Sequence, residues 1–238
     1  MSDNLTIKGM KNEITIGEIV AQDYRTAEIF KEAGIDFCCG GKQSIDEACS
    51  EKGIDRIDLN TRLKILKSIP NTTIQNFNEW DLGFLCDYIV NTHHKYVLKS
   101  LPELVMYTEK IASVHGERHP ELAEVAFLFS QINKELLQHM KKEEEVLFPA
   151  IKEAVSSGSS NAISLIVSEI ERLSGEHEFA GGAMDKINVI TANYSVPADG
   201  CNTYNVTFKL LRLFEDDLHT HVHLENNILF PKALISAN

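Results

Sequence analysis

Two segments of this chain repeat one another. His139-Met140-Lys141-Lys142-Glu143 runs on to Val146-Leu147-Phe148-Pro149, and His221-Val222-His223-Leu224-Glu225 runs on to Ile228-Leu229-Phe230-Pro231. The second copy keeps a constant offset of 82 from the first, from His139 to His221, Glu143 to Glu225 and Pro149 to Pro231. In each copy an imidazole and a carboxylate stand four residues apart, which puts both on one face of an α-helix about a turn apart. A single His-x-x-x-Glu is ordinary on a solvated helix face. Two in register, each followed by Leu-Phe-Pro, point to an internal duplication whose halves each bring the same pair of metal-type ligands.

From Asn78 to Asn238 the apolar residues recur at helical spacing, with breakers near Val114–Pro120, Ser156–Ser160 and Ser195–Gly200. These divide the stretch into four helices of roughly 30 residues or more, and no segment shows the alternation of a strand. Long helices with short connections predict an antiparallel four-helix bundle over residues 78–238. Ahead of it, residues 1–68 read as a small helical domain. A helix over Tyr24–Ala33 carries Ala27, Ile29, Phe30 and Ala33 and stops at Gly34. Ser44-Ile45-Asp46-Glu47 is a capping box for a second helix that Gly53 closes, and a third fits Leu59–Lys67. Residues 69–77, with Ile69-Pro70-Asn71-Thr72-Thr73, read as a linker. The fold class is all-α.

A bundle fixes the heights of its side chains. His94 lies 22 residues before a turn centre at Gly116 and His139 lies 23 after it; His177 lies 21 before Ala198 and His221 lies 23 after it. At about 1.5 Å of rise per residue the mismatches amount to about 1.5–3 Å, so the four imidazoles can meet at one level. The single-histidine helices share the repeat, His177 following His94 at an offset of 83. His219 and His223 are rivals on the last helix, but at the offset of 82 their counterparts are Leu137 and Lys141, neither a metal ligand. His93 points about 100° away from His94. His115 and His119 fall in a turn and are expected to be solvated. An acid precedes each paired histidine by one turn, Glu135 before His139 and Asp217 before His221, and Glu176 adjoins His177. These three are candidates to hydrogen-bond a ligand ring, although acids on a surface need no such role. Gly181-Gly182 follows His177 by one turn, at a cost of about 1 kcal/mol per glycine relative to alanine. It reads as tolerated flexibility or as space for a small ligand beside the metals.

His94, His139, Glu143, His177, His221 and Glu225 together offer four imidazoles and two carboxylates. Six ligands suit two ions better than one, leave coordination positions open and allow a carboxylate to bridge. Mixed N/O donors suit iron, manganese or zinc, and imidazole with carboxylate and open positions is typical of non-haem iron. Structural zinc is usually closed at four ligands and often uses cysteine.

The net charge of −12, from 35 acidic and 23 basic residues, disfavours nucleic acid and anionic membrane surfaces as partners. Met1–Asn12 lacks the apolar core of a signal peptide, and no stretch is long and apolar enough to span a bilayer. A cytoplasmic protein is expected, with its five cysteines as thiols. Cys38 and Cys39 are adjacent, their Cα atoms about 3.8 Å apart, short of the usual disulfide range of about 4.4–6.8 Å. They sit in a glycine-hinged loop, Asp36-Phe37-Cys38-Cys39-Gly40-Gly41-Lys42-Gln43. Thiolates there would bind soft metals or attack electrophiles; Lys42 would lower a thiol pKa and Asp36 would oppose it. Cys49, Cys86 and Cys201 read as inert thiols.

Taken together, these residues resemble the repair-of-iron-centres family over nearly the whole chain. The motifs that carry the resemblance are Cys38 to Gln43, a His followed by His-x-x-x-Glu in each half, Leu101-Pro102-Glu103-Leu104 after His94, and Leu224 to Pro231. The resemblance implies a hemerythrin-like bundle behind a small cysteine domain. By it, His94, His139, Glu143, His177, His221 and Glu225 hold two non-haem iron ions, bridged by the glutamates and an oxo or hydroxo group. It further implies repair of iron–sulfur clusters damaged by nitric oxide or peroxide, with the damaged iron–sulfur proteins as partners and the di-iron site as a labile iron source. Cys38 and Cys39 would receive or pass iron, and the chain would form a homodimer. The pattern is also similar to oxygen-carrying hemerythrins, but has fewer histidine ligands and an added cysteine domain. Binding or sensing of nitric oxide or oxygen, or nitric oxide reduction, is the other reading.

Overall fold

The computed structural model describes residues 14–70 and 76–236. The N-terminal stretch and the linker positions Asn71, Thr72 and Thr73 lie outside the described residues. The chain divides into two compact units, Met1–Ile74 and Gln75–Asn238, a boundary inside the expected linker 69–77.

In the first unit α1 (Ile16–Gln22), α2 (Thr26–Glu32), α3 (Ile45–Lys52) and α4 (Arg56–Ser68) pack around Ile16, Val20, Phe30 and Leu59. Their starts have local chemical causes. The Ser44 hydroxyl accepts from the Glu47 N–H at 3.2 Å while the Glu47 carboxylate accepts from the Ser44 N–H at 2.8 Å, the capping box read from the sequence. Thr15 and Glu18 make the same reciprocal pair at 3.2 and 2.8 Å. That box opens α1, a helix the sequence reading omits although Thr15-Ile16-Gly17-Glu18 carries its signature. Asp55 accepts from the Ile57 N–H at 2.8 Å and so starts α4 earlier than Leu59. Gly34 and Gly53, at φ +68° and +66°, end α2 and α3 in the left-handed conformation that favours glycine.

The second unit is the predicted bundle of four rods. The first runs α5 (Leu82–Ile89), a wide π turn over Val90–His94, then α6 (Lys95–His115). The second runs α7 (Glu121–Lys142), a π turn over Glu143–Leu147, then α8 (Phe148–Ser157). The third, α9 (Ser160–Ile190), is unbroken over 31 residues. The fourth runs α10 (Asn202–Leu224), a π turn over Glu225–Leu229, then α11 (Phe230–Ser236). Helix α6 packs on α7, α7 on α9, and α10 on both α6 and α9, closing a ring. Leu85, Ile89, Leu101, Phe129, Leu173, Leu211 and Phe214 fill its centre, each fully buried. Among the described residues there is no strand, only one isolated bridge between Thr15 and Ser44. No described helix is long and apolar enough to cross a membrane.

Two of the wide turns have a cause in the sequence. Proline has no N–H, and its ring clashes with the carbonyl four residues back. Pro149 and Pro231 each stand two residues beyond a π turn. Just before them, the Phe148 N–H reaches the Glu143 carbonyl and the Phe230 N–H reaches that of Glu225, each five residues back. The repeated Leu-Phe-Pro therefore widens the helix at each repeated glutamate.

Candidate metal centre

The wide turns meet at one level of the bundle. His94 closes the first, while Glu143 and Glu225 open the other two, a turn beyond His139 and His221. With His177 from α9 these six side chains are all at 1 % exposure or less. They form two groups that share both glutamates: His94, Glu143, His221 and Glu225 in one, and His139, Glu143, His177 and Glu225 in the other. Within each group the ligand atoms all lie within 4.8 Å of one another. One oxygen of Glu143 lies 3.3 Å from Nε2 of both His94 and His139. Glu225 places Oε2 3.1 Å from His177 Nε2 and Oε1 3.0 Å from His221 Nε2. Each carboxylate thus touches one histidine of each group, the arrangement a bridging ligand requires.

The donor atoms are short of partners. Among the described residues, both oxygens of Glu143, Oε2 of Glu225 and Nε2 of His94 are buried with no hydrogen bond of good geometry. Buried charge in that state is costly unless paired or bound to metal, so the residues fit a pair of cations. Their proton affinities show the same strain. Burial works against the charged form of His139, but Glu143, Glu176 and Glu225 outweigh it and lift the imidazole to about 10. The same balance raises His94. Burial prevails at His221, which is lowered. Burial also opposes the charge of Glu143 and Glu225, yet the histidines hold Glu143 low and Glu225 well below the carboxylate range. A metal entering this site must displace protons.

The outward ring nitrogens are held by side chains. Nδ1 of His94 donates to Glu144 at 2.8 Å, and Nδ1 of His139 donates to Glu176 at 2.9 Å. A carboxylate only accepts, so both rings carry the proton on Nδ1 and turn Nε2 inward. Nδ1 of His177 lies 2.9 Å from Asn226 Oδ1, while Nδ1 of His221 has no hydrogen-bond partner among the described residues. Glu176 is itself anchored by Lys142 at 2.6 Å and Arg172 at 2.9 Å. Its hydrogen bond with His139 brings its carboxyl down to about 2.

These partners differ from the sequence expectation. Glu176 serves His139 across the bundle, not its neighbour His177. Asp217 binds Nδ1 of His93 at 2.9 Å instead of His221, because His93 is buried and stacks on the His221 ring at 5.6 Å with a 10° tilt. Glu135 is exposed and contacts no ligand ring; it lies about 90° from the centre of the buried stripe of α7, through Val125, Phe129, Ile132, Leu136 and Glu143. The sequence reading also misses Glu144 and Asn226, although each follows a repeated glutamate at the shared offset of 82.

Other expectations change too. His115 is buried, with Nε2 3.2 Å from Cys201 Sγ, and His119 pairs with Asp199 at 3.0 Å. Neither is merely solvated. Cys201 is exposed, and bonding from the Tyr204 N–H together with the His115 ring brings its thiol down to about 7, so it is not inert. Cys86 is, buried and pushed up to about 12. Gly182 is exposed, and a Cβ there would meet nothing within 4 Å; its freedom opens onto solvent.

In the first unit the Asp36 carboxylate organises the cysteine loop. It accepts from the N–H groups of Cys38, Cys39 and Gly40 at 2.8, 3.1 and 2.8 Å and from the Cys38 thiol at 3.1 Å. Any side chain on Gly40 would press on Asp36, at 3.0 Å from its carbonyl. Asp36, Cys38 and Cys39 bring one ligand atom each within 4.8 Å of the others. The hydrogen bond with Cys39, burial and the Asp36 charge push the Cys38 thiol well up, the direction expected of Asp36 and not of Lys42. Neither thiol is in a disulfide among the described residues.

A bundle with two His/Glu groups sharing their carboxylates defines a hemerythrin-type protein, and the family model of the hemerythrin HHE cation binding domain matches residues 87–233. The ScdA_N model, described as a domain of unknown function, matches residues 12–67. The chain is 34% identical over 220 residues to the iron-sulfur cluster repair protein YtfE of Yersinia pestis (strain Pestoides F), covering 92% of this chain and 96% of that protein. The protein of the same name from Yersinia pseudotuberculosis serotype O:1b (strain IP 31758) is 33% identical over the same length. The chain belongs to the repair-of-iron-centres family.

Proposed function

We propose that this protein repairs iron–sulfur clusters damaged by nitrosative or oxidative stress, supplying iron from a non-haem di-iron centre. The sharing of Glu143 and Glu225 by two buried histidine pairs carries the reading. His94 and His221 would hold one ion, His139 and His177 the other, with both glutamates between them. Bound iron would supply exchangeable coordination positions, because four protein donors per ion leave an octahedral preference unfilled. The protein's own part is to orient the imidazoles through Glu144, Glu176 and Asn226 and to exclude water from the buried carboxylates. The absence of thiolate from these groups favours release of iron to sulfur ligands elsewhere. Cys38 and Cys39, in residues 1–68, would receive or pass it, each thiol giving up its proton to the metal.

The test is metal analysis of freshly purified protein beside an assay of a damaged cluster enzyme. About two irons per chain and restored activity are expected, with restoration lost in Cys38→Ala/Cys39→Ala while the iron remains. One zinc per chain, or no restoration by iron-loaded protein, overturns the proposal. The open positions also favour binding or reduction of nitric oxide, or oxygen binding, at the same centre. That reading expects the double cysteine variant to keep its diatomic chemistry and to be irrelevant to cluster repair.

A further inference from the structure

Away from the six ligands, the end of α6 and the start of α10 bring a thiol and an imidazole together. Cys201 stands directly before α10, 20 residues ahead of His221, about 30 Å of helix rise from the metal level. Of the five cysteines it is the exposed one. His115, the last residue of α6, is only 5 % exposed and turns Nε2 to the Cys201 sulfur at 3.2 Å. We infer that Cys201 and His115 form a reactive thiol–imidazole pair, a modification site at which a small peroxide oxidises the thiol and a small thiol then caps it. The site owes nothing to the metal ligands, so it stands or falls apart from the cluster-repair reading.

The imidazole is buried for this one polar contact. Its other nitrogen, Nδ1, has no hydrogen-bond partner among the described residues, and its ring packs edge-on against Tyr204 at 5.4 Å. With the shared proton on Nε2 the sulfur is a thiolate, a far better acceptor than a thiol. The start of a 23-residue helix favours the same state, since its first N–H groups lack helical partners and carry the positive end of the dipole. The Tyr204 N–H first, and the His115 ring after it, bring the thiol down to about 7, against about 12 at buried Cys86. The charged groups nearby do not oppose this. Asp199, two residues before Cys201, is engaged by Arg118 at 2.8 Å and His119 at 3.0 Å, and Glu121 of α7 lies 3.3 Å from the same His119 ring.

An exposed thiolate beside a proton-bearing imidazole is a nucleophile with its acid in place. The sulfur attacks one oxygen of hydrogen peroxide; the S–O bond forms and the O–O bond breaks. The departing oxygen takes the thiol proton, which the pair holds between Sγ and Nε2. Sulfur loses two electrons and the peroxide gains them, giving a sulfenic acid and water. A small thiol then attacks the oxidised sulfur. The S–S bond forms, the S–O bond breaks, and the hydroxyl leaves with the incoming thiol's proton as a second water.

The test alkylates full-length protein with iodoacetamide across a pH series and, separately, treats it with hydrogen peroxide and the sulfenic-acid trap dimedone. Peptide mass spectrometry follows each cysteine. Alkylation of Cys201 should be half-maximal near about 7. Peroxide should place the trap on Cys201 ahead of Cys49 and Cys86 and, with glutathione replacing the trap, one glutathione there. His115→Gln should raise the half-maximal pH by about one unit or more and slow trapping at neutral pH roughly fivefold or more. Wild type decides even where that variant does not fold. Half-maximal alkylation near the ordinary thiol value of about 8.5, or no glutathione on Cys201 after peroxide, overturns the site. A folded His115→Gln that titrates and reacts as wild type does so too.

Discussion

Removing the metal should make the stability of this protein depend steeply on pH above neutrality. In the metal-free site the acids around His139 overcome its burial and hold its proton to about 10, against an ordinary 6.5. A raised pKa contributes stability that is fully present below 6.5 and is lost as pH climbs through 10. At about 1.36 kcal/mol per pH unit, the interval corresponds to a ceiling on the order of 5 kcal/mol. Sharing of Glu143 and Glu225 with His94 lowers the realised figure. Even so it is a large part of the about 5–15 kcal/mol by which a domain is stable. On the acid side the sign reverses: Glu143 and Glu225 are depressed, so their contribution is present above about 4.5 and is lost as pH falls through the depressed values. In loaded protein the ring would be a neutral ligand that keeps its Nδ1 proton and has none to titrate at Nε2. Urea midpoints of stripped and loaded protein at pH 6.5, 8 and 9.5 should therefore diverge, the stripped form weakening and the loaded form staying level. Glu143→Gln in the stripped protein should flatten the slope. A stripped protein whose midpoint does not move between pH 6.5 and 10 would refute the reasoning, as would equal slopes in the two forms.

Glu176→Gln should weaken iron binding about 10- to 100-fold in chelator competition, since Glu176 orients and polarises His139, whereas exposed Glu135→Gln should leave it unchanged. Gly182→Ala should raise stability by up to about 1 kcal/mol in thermal melts with iron content intact, because the added methyl meets no neighbour. Phe214→Ala should cost about 3–5 kcal/mol of unfolding free energy, the ring being fully buried edge-on to Phe129 at 5.3 Å. Chelation of loaded protein should be biphasic, with the ion on His94 and His221 leaving first and the slow phase alone remaining in His221→Ala; a single phase in wild type, or the fast phase alone in that variant, would contradict two inequivalent ions.

The bundle was legible because its cause is periodic. The helical spacing after Asn78 and three breaker clusters predict four rods, and the offset of 82, or 83 for the single histidines, together with matching heights selects His94, His139, Glu143, His177, His221 and Glu225 from nine histidines and 35 acids. All six converge. What escaped depends on contacts between rods. Which acid meets which ring is set by rod packing and by wide turns, so Glu176 crosses to His139 and Glu144 to His94 where adjacency in the chain suggested otherwise. The first wide turn, at Val90–His94, has no Leu-Phe-Pro to announce it. The exposure of Cys201 beside buried His115 brings together residues 86 positions apart that no local pattern links. Helix α1, by contrast, was available in Thr15 and Glu18.

The duplication also explains why the two metal positions are not alike. The repeat exchanges His94 with His177 and His139 with His221, so it exchanges the two groups as wholes. It likewise pairs Glu144 with Asn226 at an offset of 82 and Glu176 with His93 at 83. Each of those pairs occupies the same role with different chemistry. Where Glu176 accepts the Nδ1 proton of His139, its counterpart His93 can only stack on His221, and Asp217 takes the proton of His93 in its turn. The orphaned Nδ1 of His221 follows from that single divergence. A carboxylate on Nδ1 fixes the ring and makes Nε2 a better donor to a metal. The group of His139 and His177 keeps such a carboxylate, braced by Lys142 and Arg172, and an amide besides. The group of His94 and His221 has one carboxylate, Glu144, at a half-exposed position, and one ring with none. On the proposed function, two halves that began alike would hold one ion firmly and the other loosely, which is what a protein that gives iron away, yet must keep its site assembled, would require.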